Sequence, residues 1–142
     1  FWKRRKVWLK LDDSEGEIID FTMFAATTGE TFGGGYKVCP GVSPVDNDGM
    51  IMYAPRLSRI AMLSLMGPMK KGKHVGKWGI TMQKANRIEI KPVDSKGKVS
   101  DVPLPLSTWV QADGEPIILS PATLEWHTEQ LLVRGAKDVH WA

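Results

Sequence analysis

Two short acidic turns carry the residue types on which chemistry could be built. Asp46-Asn47-Asp48-Gly49 places two carboxylates and an amide within three residues, ended by a glycine turn. These are hard-oxygen donors of the kind that suit Mg²⁺ or Ca²⁺. The terminal Glu of an EF-hand loop is missing, since the twelfth residue counted from Asp46 is Leu57. The same residues also make an Asx-rich turn ahead of an apolar run, and local sequence alone favours that structural role. Asp113-Gly114-Glu115 is the second turn. Asp-Gly between two apolar stretches is a strong type I′ hairpin signal, so spacing alone favours a plain turn. The chemical reading is an acidic pair at a hairpin tip, with one group able to accept a proton from a hydroxyl.

Thr31-Phe32-Gly33-Gly34-Gly35 can turn with positive φ and approach a neighbour or ligand closely. It is not a phosphate-binding Walker loop, because no Lys-Ser/Thr follows, and it is not GxGxxG. Taken alone it reads better as a bulge or tight bend. Basic residues cluster at Lys3-Arg4-Arg5-Lys6 and again at Lys70, Lys71, Lys73 and Lys77. Charge runs are usually solvated faces. The second run follows Leu65, Met66 and Met69, and a basic patch beside an apolar one is also what an anionic membrane surface would meet. His74, His127 and His140 lack metal-ligand spacing, and with the single Cys39 they offer no zinc site. No Ser-His-Asp arrangement can be argued.

The elements that must hold these residues are short and mostly extended. Val7, Leu9 and Leu11 share one strand face with Lys6 and Lys10 on the other; Asp12 to Gly16 turns, and Glu17 to Ala26 returns as a hairpin partner. Tyr36 to Cys39 and Met50 to Ala54 predict strands that end at Pro40 and Pro55. Ser58 can cap a helix, Leu57 and Met62 can staple it, and Gly67-Pro68 should stop it. Lys70 to Lys77 reads as a basic loop. Strands resume at Trp78 to Lys84 and at Arg87 to Lys91, where Ile88 and Ile90 face the core. Asp94 to Asp101 is a polar loop. Thr108 to Ala112 and Pro116 to Leu119 flank Asp113-Gly114, and Leu124 to Trp126 and Gln130 to Arg134 form a last hairpin. The prediction is a mainly β fold, an antiparallel β-sandwich of about nine or ten short strands with one helix.

Composition sets the frame. With 142 residues, 42% of them apolar and 25% charged, the chain can bury one core, and wholesale disorder is excluded. A lone cysteine excludes a disulfide scaffold and fits a reducing compartment. The longest apolar candidate, Ile60 to Met66, is far too short to span a bilayer. A net charge of +3 neither demands nor excludes an anionic partner, and no nucleic-acid partner is expected. The chain opens Phe-Trp-Lys-Arg-Arg-Lys without an initiator Met, so residues 1–142 are read as one β-sandwich domain of a longer protein.

None of these signals is specific singly, but their order is. Phe32-Gly33-Gly34-Gly35 leads to Cys39-Pro40; then come Asp46-Asn47-Asp48-Gly49-Met50-Ile51, Leu57-Ser58-Arg59 opening the helix, Lys71-Gly72-Lys73-His74, and Ala112-Asp113-Gly114-Glu115-Pro116. This succession resembles the C-terminal domain of the diacylglycerol kinase, sphingosine kinase and bacterial lipid kinase family across nearly the whole chain. The resemblance implies a β-sandwich lobe packed on an N-terminal kinase lobe that carries a Gly-Gly-Asp-Gly-Thr motif, a motif absent from this sequence. It implies phosphorylation of a lipid hydroxyl, diacylglycerol-like or sphingoid-like, with ATP and Mg²⁺ in the cleft between the lobes.

Carried over to this chain, Asp113 matches the proposed base and Glu115 the second acid, near nucleotide and metal. Asp46 and Asp48 match the acidic loop that holds a divalent ion, and Gly33, Gly34 and Gly35 the family's glycine stretch, expected to be cofactor-binding. Thr27-Thr28 stands where the family usually has Asn. ATP would be bound mainly by the other lobe, and the chain alone is expected to be inactive. Lys70, Lys71 and Lys73 are the expected contacts to an anionic membrane, with a cytoplasmic, peripherally membrane-associated location; a homodimer is left open. The alternatives are a non-catalytic β-sandwich module that binds lipid or protein, and the related lobe of a soluble NAD-kinase-like enzyme.

Overall fold

Alternating apolar and charged residues build the first hairpin. Strand β1 (Arg5–Leu11) pairs antiparallel with β2 (Glu17–Thr27), with Val7 opposite Ile19 and Leu9 opposite Glu17. The computed structural model describes residues 5–46, 48–104 and 109–127. Lys3, Arg4, Asn47, Thr108, the Gln130 to Arg134 strand and His140 lie outside the described residues. Among the described residues there are ten strands and one α-helix. The others are β3 (Thr31–Phe32), β4 (Tyr36–Lys37), β5 (Gly49–Pro55), α1 (Arg59–Lys70), β6 (Thr81–Ala85), β7 (Arg87–Pro92), β8 (Trp109–Ala112), β9 (Glu115–Ile118) and β10 (Ala122–Glu125). The fold is mainly β and antiparallel, as the sequence predicts.

Six strands form the main sheet in the order β10-β7-β1-β2-β5-β6; β3-β4 and β8-β9 are separate two-stranded ribbons. One residue, Asn86, joins β6 to β7, yet these strands are four places apart in the sheet. A flat sheet would separate them by roughly 19 Å, whereas Ala85 and Arg87 cannot be more than about 7 Å apart along the chain. The sheet therefore curls over its own face without a β6–β7 ladder. Asp12 locks that curl: its Oδ1 accepts from the backbone N–H groups of Asn86 and Arg87 at 2.9 and 2.8 Å, and its own N–H donates to the Arg87 carbonyl.

A core lies on each face of the sheet, the second over its β2–β5–β6 side. Inside the curl lie Val7, Leu9, Ile19, Ile51, Ala85, Ile88, Ile90 and Leu119. On the other face Met52, Ala54 and Ile80 pack with Val38, Cys39, Val42 and the inward residues of α1, Leu65 and Met69. Strand β5 serves both cores, so it reads Met-Ile-Met-Tyr-Ala without polar alternation. In β2 the register shifts between Phe21 and Met23. Ile19 and Phe21 face the first core before the bulge, Phe24 and Ala26 after it, because one extra residue reverses the parity of a strand. The Thr22 hydroxyl at this bulge accepts from the Leu57 N–H at 2.8 Å and so fixes the approach to α1.

Helix α1 begins as predicted. Ser58 Oγ accepts from the Ala61 N–H at 3.2 Å, and Leu57 and Met62 both pack on the second core. It does not stop at Gly67-Pro68 but runs through Pro68 to Lys70. A helical proline costs about 3 kcal/mol. Leu65 and Met69, four apart on the inward face, are both buried. Only Met69 lies beyond the proline, and its burial, worth about 1.5–3 kcal/mol, offsets most of that cost. Two other bounds differ from the sequence reading. Strand β4 ends at Lys37, because the Cys39 N–H leaves the ladder for the Glu30 carbonyl. Strand β6 starts at Thr81 and not at Trp78: Lys77 to Gly79 form a short 3-10 turn, with Trp78 at φ 49° and Gly79 at φ 77°.

Candidate functional site

The Asp113-Gly114 turn is a two-residue hairpin loop. Ala112 pairs with Glu115, and Asp113 and Gly114 have φ of 47° and 94°. Positive φ at both central residues is the type I′ geometry that Asp-Gly favours. Val110 on β8 and Leu119 just after β9 join the first core. They root the ribbon, while Asp113, Gly114 and Glu115 stand exposed at its tip. Neither carboxylate has a hydrogen-bond or ionic partner among the described residues. The two acids thus stand exposed at the tip of an anchored support.

Asp46 and Asp48 lie on the loop that leads into β5. Asp46 closes its own turn: its Oδ2 accepts from the Ser43 N–H at 2.9 Å, and its N–H donates to the Ser43 carbonyl. Asp48 Oδ2 accepts from Lys84 Nζ at 2.8 Å. Lys84 is delivered there by sheet register, since β5 and β6 place Met50 opposite Lys84. The bond to Asp48, then the charges of Asp48 and Asp46, hold the Lys84 ammonium above its ordinary range. Gly49 is packed beneath the Trp126 ring, so closely that a Cβ there would overlap it. The backbone N–H of Trp126 in turn donates to the Asn86 carbonyl at 3.0 Å.

A Mg²⁺ site commonly uses one or two carboxylates with water and phosphate oxygens. The donor set of Asp46 and Asp48 suits that, with Lys84 as a competing cation on Asp48. No cluster of three or more His, Cys, Asp or Glu capable of holding a metal exists among the described residues. The structure therefore does not gather Asp113 and Glu115 with Asp46 and Asp48 into one such cluster.

Gly33, Gly34 and Gly35 link β3 to β4 with φ of 36°, 64° and 80°. A Cβ at Gly33 or Gly35 would meet nothing within 4 Å. Their glycine character is required by the left-handed turn and not by a close neighbour. The tight-bend reading of these residues describes their place in the fold.

Lys70, Lys71 and Lys73 are exposed at the end of α1 and in the turn that follows. Lys71-Gly72-Lys73-His74 is a structural unit. Gly72 has φ 67°, and a Cβ there would lie 2.9 Å from Pro40 Cβ. His74 is fully buried with Nε2 3.0 Å from the Val38 carbonyl, while its Nδ1 is buried without a hydrogen bond. Nε2 is accordingly the protonated nitrogen and donates to Val38. Burial holds the imidazole pKa below its ordinary value, partly offset by that bond. His74 thus pins the basic turn to the segment after β4. Burial also pushes the Cys39 thiol up to about 11, so it is not a nucleophile at neutral pH.

Sequence reasoning missed Lys84, Trp126 and the Asp12 brace. Lys84 could have been found only from the register of β5 on β6, because 36 residues separate it from Asp48. It also missed the outward side of α1, which carries Ile60, Leu63 and Met66 in exposed positions.

A family model described as the YegS C-terminal NAD kinase beta sandwich-like domain matches residues 1–134. Two solved structures of a "putative diacylglycerol kinase" from Bacillus anthracis str. Sterne share the fold. One aligns with a TM-score of 0.62 at 17% identity, over 89% of this chain and 37% of that one. The other aligns with a TM-score of 0.61 at 17% identity, over 89% and 38%. The chain therefore spans less than half the length of these structures. No curated protein matches it. Among the described residues, no helix is long and apolar enough to cross a membrane.

Proposed function

We propose that this chain, which belongs to the family of YegS C-terminal NAD kinase beta sandwich-like domains, is the C-terminal lobe of a diacylglycerol-kinase-type enzyme that phosphorylates a lipid hydroxyl with ATP. The observation that carries this reading is the Asp113-Gly114-Glu115 tip: two carboxylates, unpartnered among the described residues, on a core-rooted hairpin. In phosphoryl transfer the substrate hydroxyl oxygen bonds to the γ-phosphorus, ADP leaves, and the hydroxyl proton must be accepted. Asp113 is assigned that proton, and Glu115 a place beside the nucleotide. Asp46 and Asp48 are assigned the Mg²⁺ ligation, with Lys84 released from Asp48 when the ion binds. Bound Mg²⁺ would supply neutralisation of phosphate charge. Gly33, Gly34 and Gly35 supply a turn that a nucleotide or the second lobe can approach without steric conflict. ATP itself is assigned mainly to an N-terminal lobe, and anionic membrane contact to Lys70, Lys71 and Lys73, at a cytoplasmic membrane surface.

The second reading is the lobe of a soluble NAD-kinase-like enzyme, since the description of the matching family likens its sandwich to that of NAD kinase. The test is phosphate transfer from radiolabelled ATP by the full two-lobe protein, with diacylglycerol, sphingosine and NAD in detergent micelles. Labelled lipid supports the proposal. Labelled NADP alone supports the second reading, and no product with any acceptor returns the chain to a binding module. The 142-residue chain alone is expected to give no product.

A further inference from the structure

The outward face of α1 is apolar, the reverse of an ordinary surface helix. Ile60 is 81% exposed, Leu63 76% and Met66 43%. At 100° per residue Ile60 and Leu63 share the solvent side with Arg59, Gly67 and Lys70, opposite the buried Leu65 and Met69, and Met66 lies at its flank. An apolar stripe with cations at both ends thus faces away from the protein. Large apolar side chains grouped in this way mark a contact surface.

The charge around that stripe has one sign. Between Gly49 and Ile88 lie eight of the chain's 19 Lys and Arg and none of its 16 Asp and Glu. Lys84 and Arg87 are engaged by Asp48, Glu89 and Glu125. Arg56, Arg59, Lys70, Lys71, Lys73 and Lys77 have no ion pair among the described residues. Arg59 sits in the first helical turn, where the helix dipole disfavours a cation and where no acid compensates. Its placement works against the helix and suits an anionic surface.

We propose that α1 is a membrane-inserting element: Ile60, Leu63 and Met66 enter the acyl boundary of an anionic bilayer, while Arg59 and Lys70 meet its headgroups. This rests on the lipid-kinase reading for its biological setting and adds to the basic contact an apolar, salt-resistant one. An amphipathic helix lying in the interface has this arrangement of apolar stripe and flanking cations. The helix is fixed for the task from behind, by Leu65 and Met69 in the core and by Gly72 and His74 at its end.

The test uses the 142-residue chain and vesicles of phosphatidylcholine alone or with 30 mol% phosphatidylglycerol, on the order of 0.1 M and 1 M salt. Wild type is expected to sediment with the anionic vesicles and to retain part of that binding at high salt. Ile60→Ser, Leu63→Ser and Met66→Ser combined should weaken it by at least about tenfold. The melting temperature should be unchanged, because all three side chains are exposed. Lys70→Gln, Lys71→Gln and Lys73→Gln combined should remove mainly the salt-sensitive part. Leu63→Cys carrying an environment-sensitive dye reads insertion directly, since the native Cys39 is buried; its emission should shift to the blue on anionic vesicles only.

Unchanged binding by the serine variant, or an unshifted dye, overturns insertion. So does the absence of vesicle binding by wild type. A wild-type dimer that the serine variant turns into monomer, without vesicle binding, also overturns it and gives the face to a second copy. These outcomes do not touch the phosphotransferase reading, which is assayed in micelles without a bilayer.

Discussion

Lys84 Nζ stands 2.8 Å from Asp48 Oδ2, with Asp46 close enough to add to the same field. One of the two candidate metal ligands, Asp48, is thus already paired with a side chain that sheet register delivers from β6. An incoming divalent cation must displace an ammonium, so its apparent affinity is lowered by that competition.

The first prediction follows from this competition. Mg²⁺ should raise the melting temperature of wild type slightly, by mass action. Lys84→Gln should enlarge that shift at a given Mg²⁺ concentration, and Asp48→Asn should abolish it. Thermal melts across a Mg²⁺ titration read all three. An Asp48→Asn variant that responds as wild type does places the ion elsewhere.

His74 predicts the pH dependence. Its folded pKa lies below the ordinary 6.5 because burial disfavours the charged ring. The unfolded chain therefore binds the proton more readily, so the contribution of neutral His74 is complete above about pH 6.5 and declines as pH falls below it. Protonation would place a hydrogen on Nδ1, which is buried without an acceptor among the described residues. Melting temperature should drop between pH 7 and pH 5, and His74→Gln should flatten that slope from a lower starting point. An equal slope in both proteins would assign the acid sensitivity to other groups.

Gly49 and Trp126 should behave as one unit. Gly49→Ala puts a methyl group into the indole ring and should cost about 1–3 kcal/mol by overpacking. In a Trp126→Ala background the same substitution should cost much less, giving a coupling energy in a double-mutant cycle. Urea unfolding of the four proteins measures it; additive costs would show that the ring is not what forbids the side chain.

What could be read from the chain alone, and what could not, divides by range. The β1–β2 hairpin, the Ile88 and Ile90 alternation on β7, the Ser58 cap and the type I′ turn at Asp113 depend on neighbours within a few residues, and they form where local chemistry predicts. The passage of α1 through Pro68 accompanies burial of Met69 against segments distant in sequence, which a local stop signal does not register. The bulge after Phe21 leaves no mark in an apolar stretch whose two faces are both covered. Asp12 reads as an ordinary turn residue, although it braces Asn86 and Arg87, 74 and 75 residues away. At the site, the acids and the basic run were legible by type and order. Lys84 on Asp48 and the outward apolar stripe of α1 required the register of one sheet and the rotation of one helix.

Asp113 is where the structural and chemical roles separate most cleanly. As the first residue of a type I′ turn it is replaceable by Asn, because Asn-Gly makes that turn at least as well. As the acceptor of a hydroxyl proton it is not, because an amide does not take up a proton at neutral pH, and loss of a positioned base costs about a hundredfold to ten-thousandfold in rate. The decisive measurement is a steady-state lipid phosphorylation assay on Asp113→Asn in the full two-lobe enzyme, beside a thermal melt of the same preparation. The account predicts wild-type melting, a nearly unchanged KM for ATP, and a turnover number reduced at least about a hundredfold. A variant that melts like wild type and keeps more than about a tenth of the activity would contradict it, remove Asp113 from the base role and leave that residue a turn former.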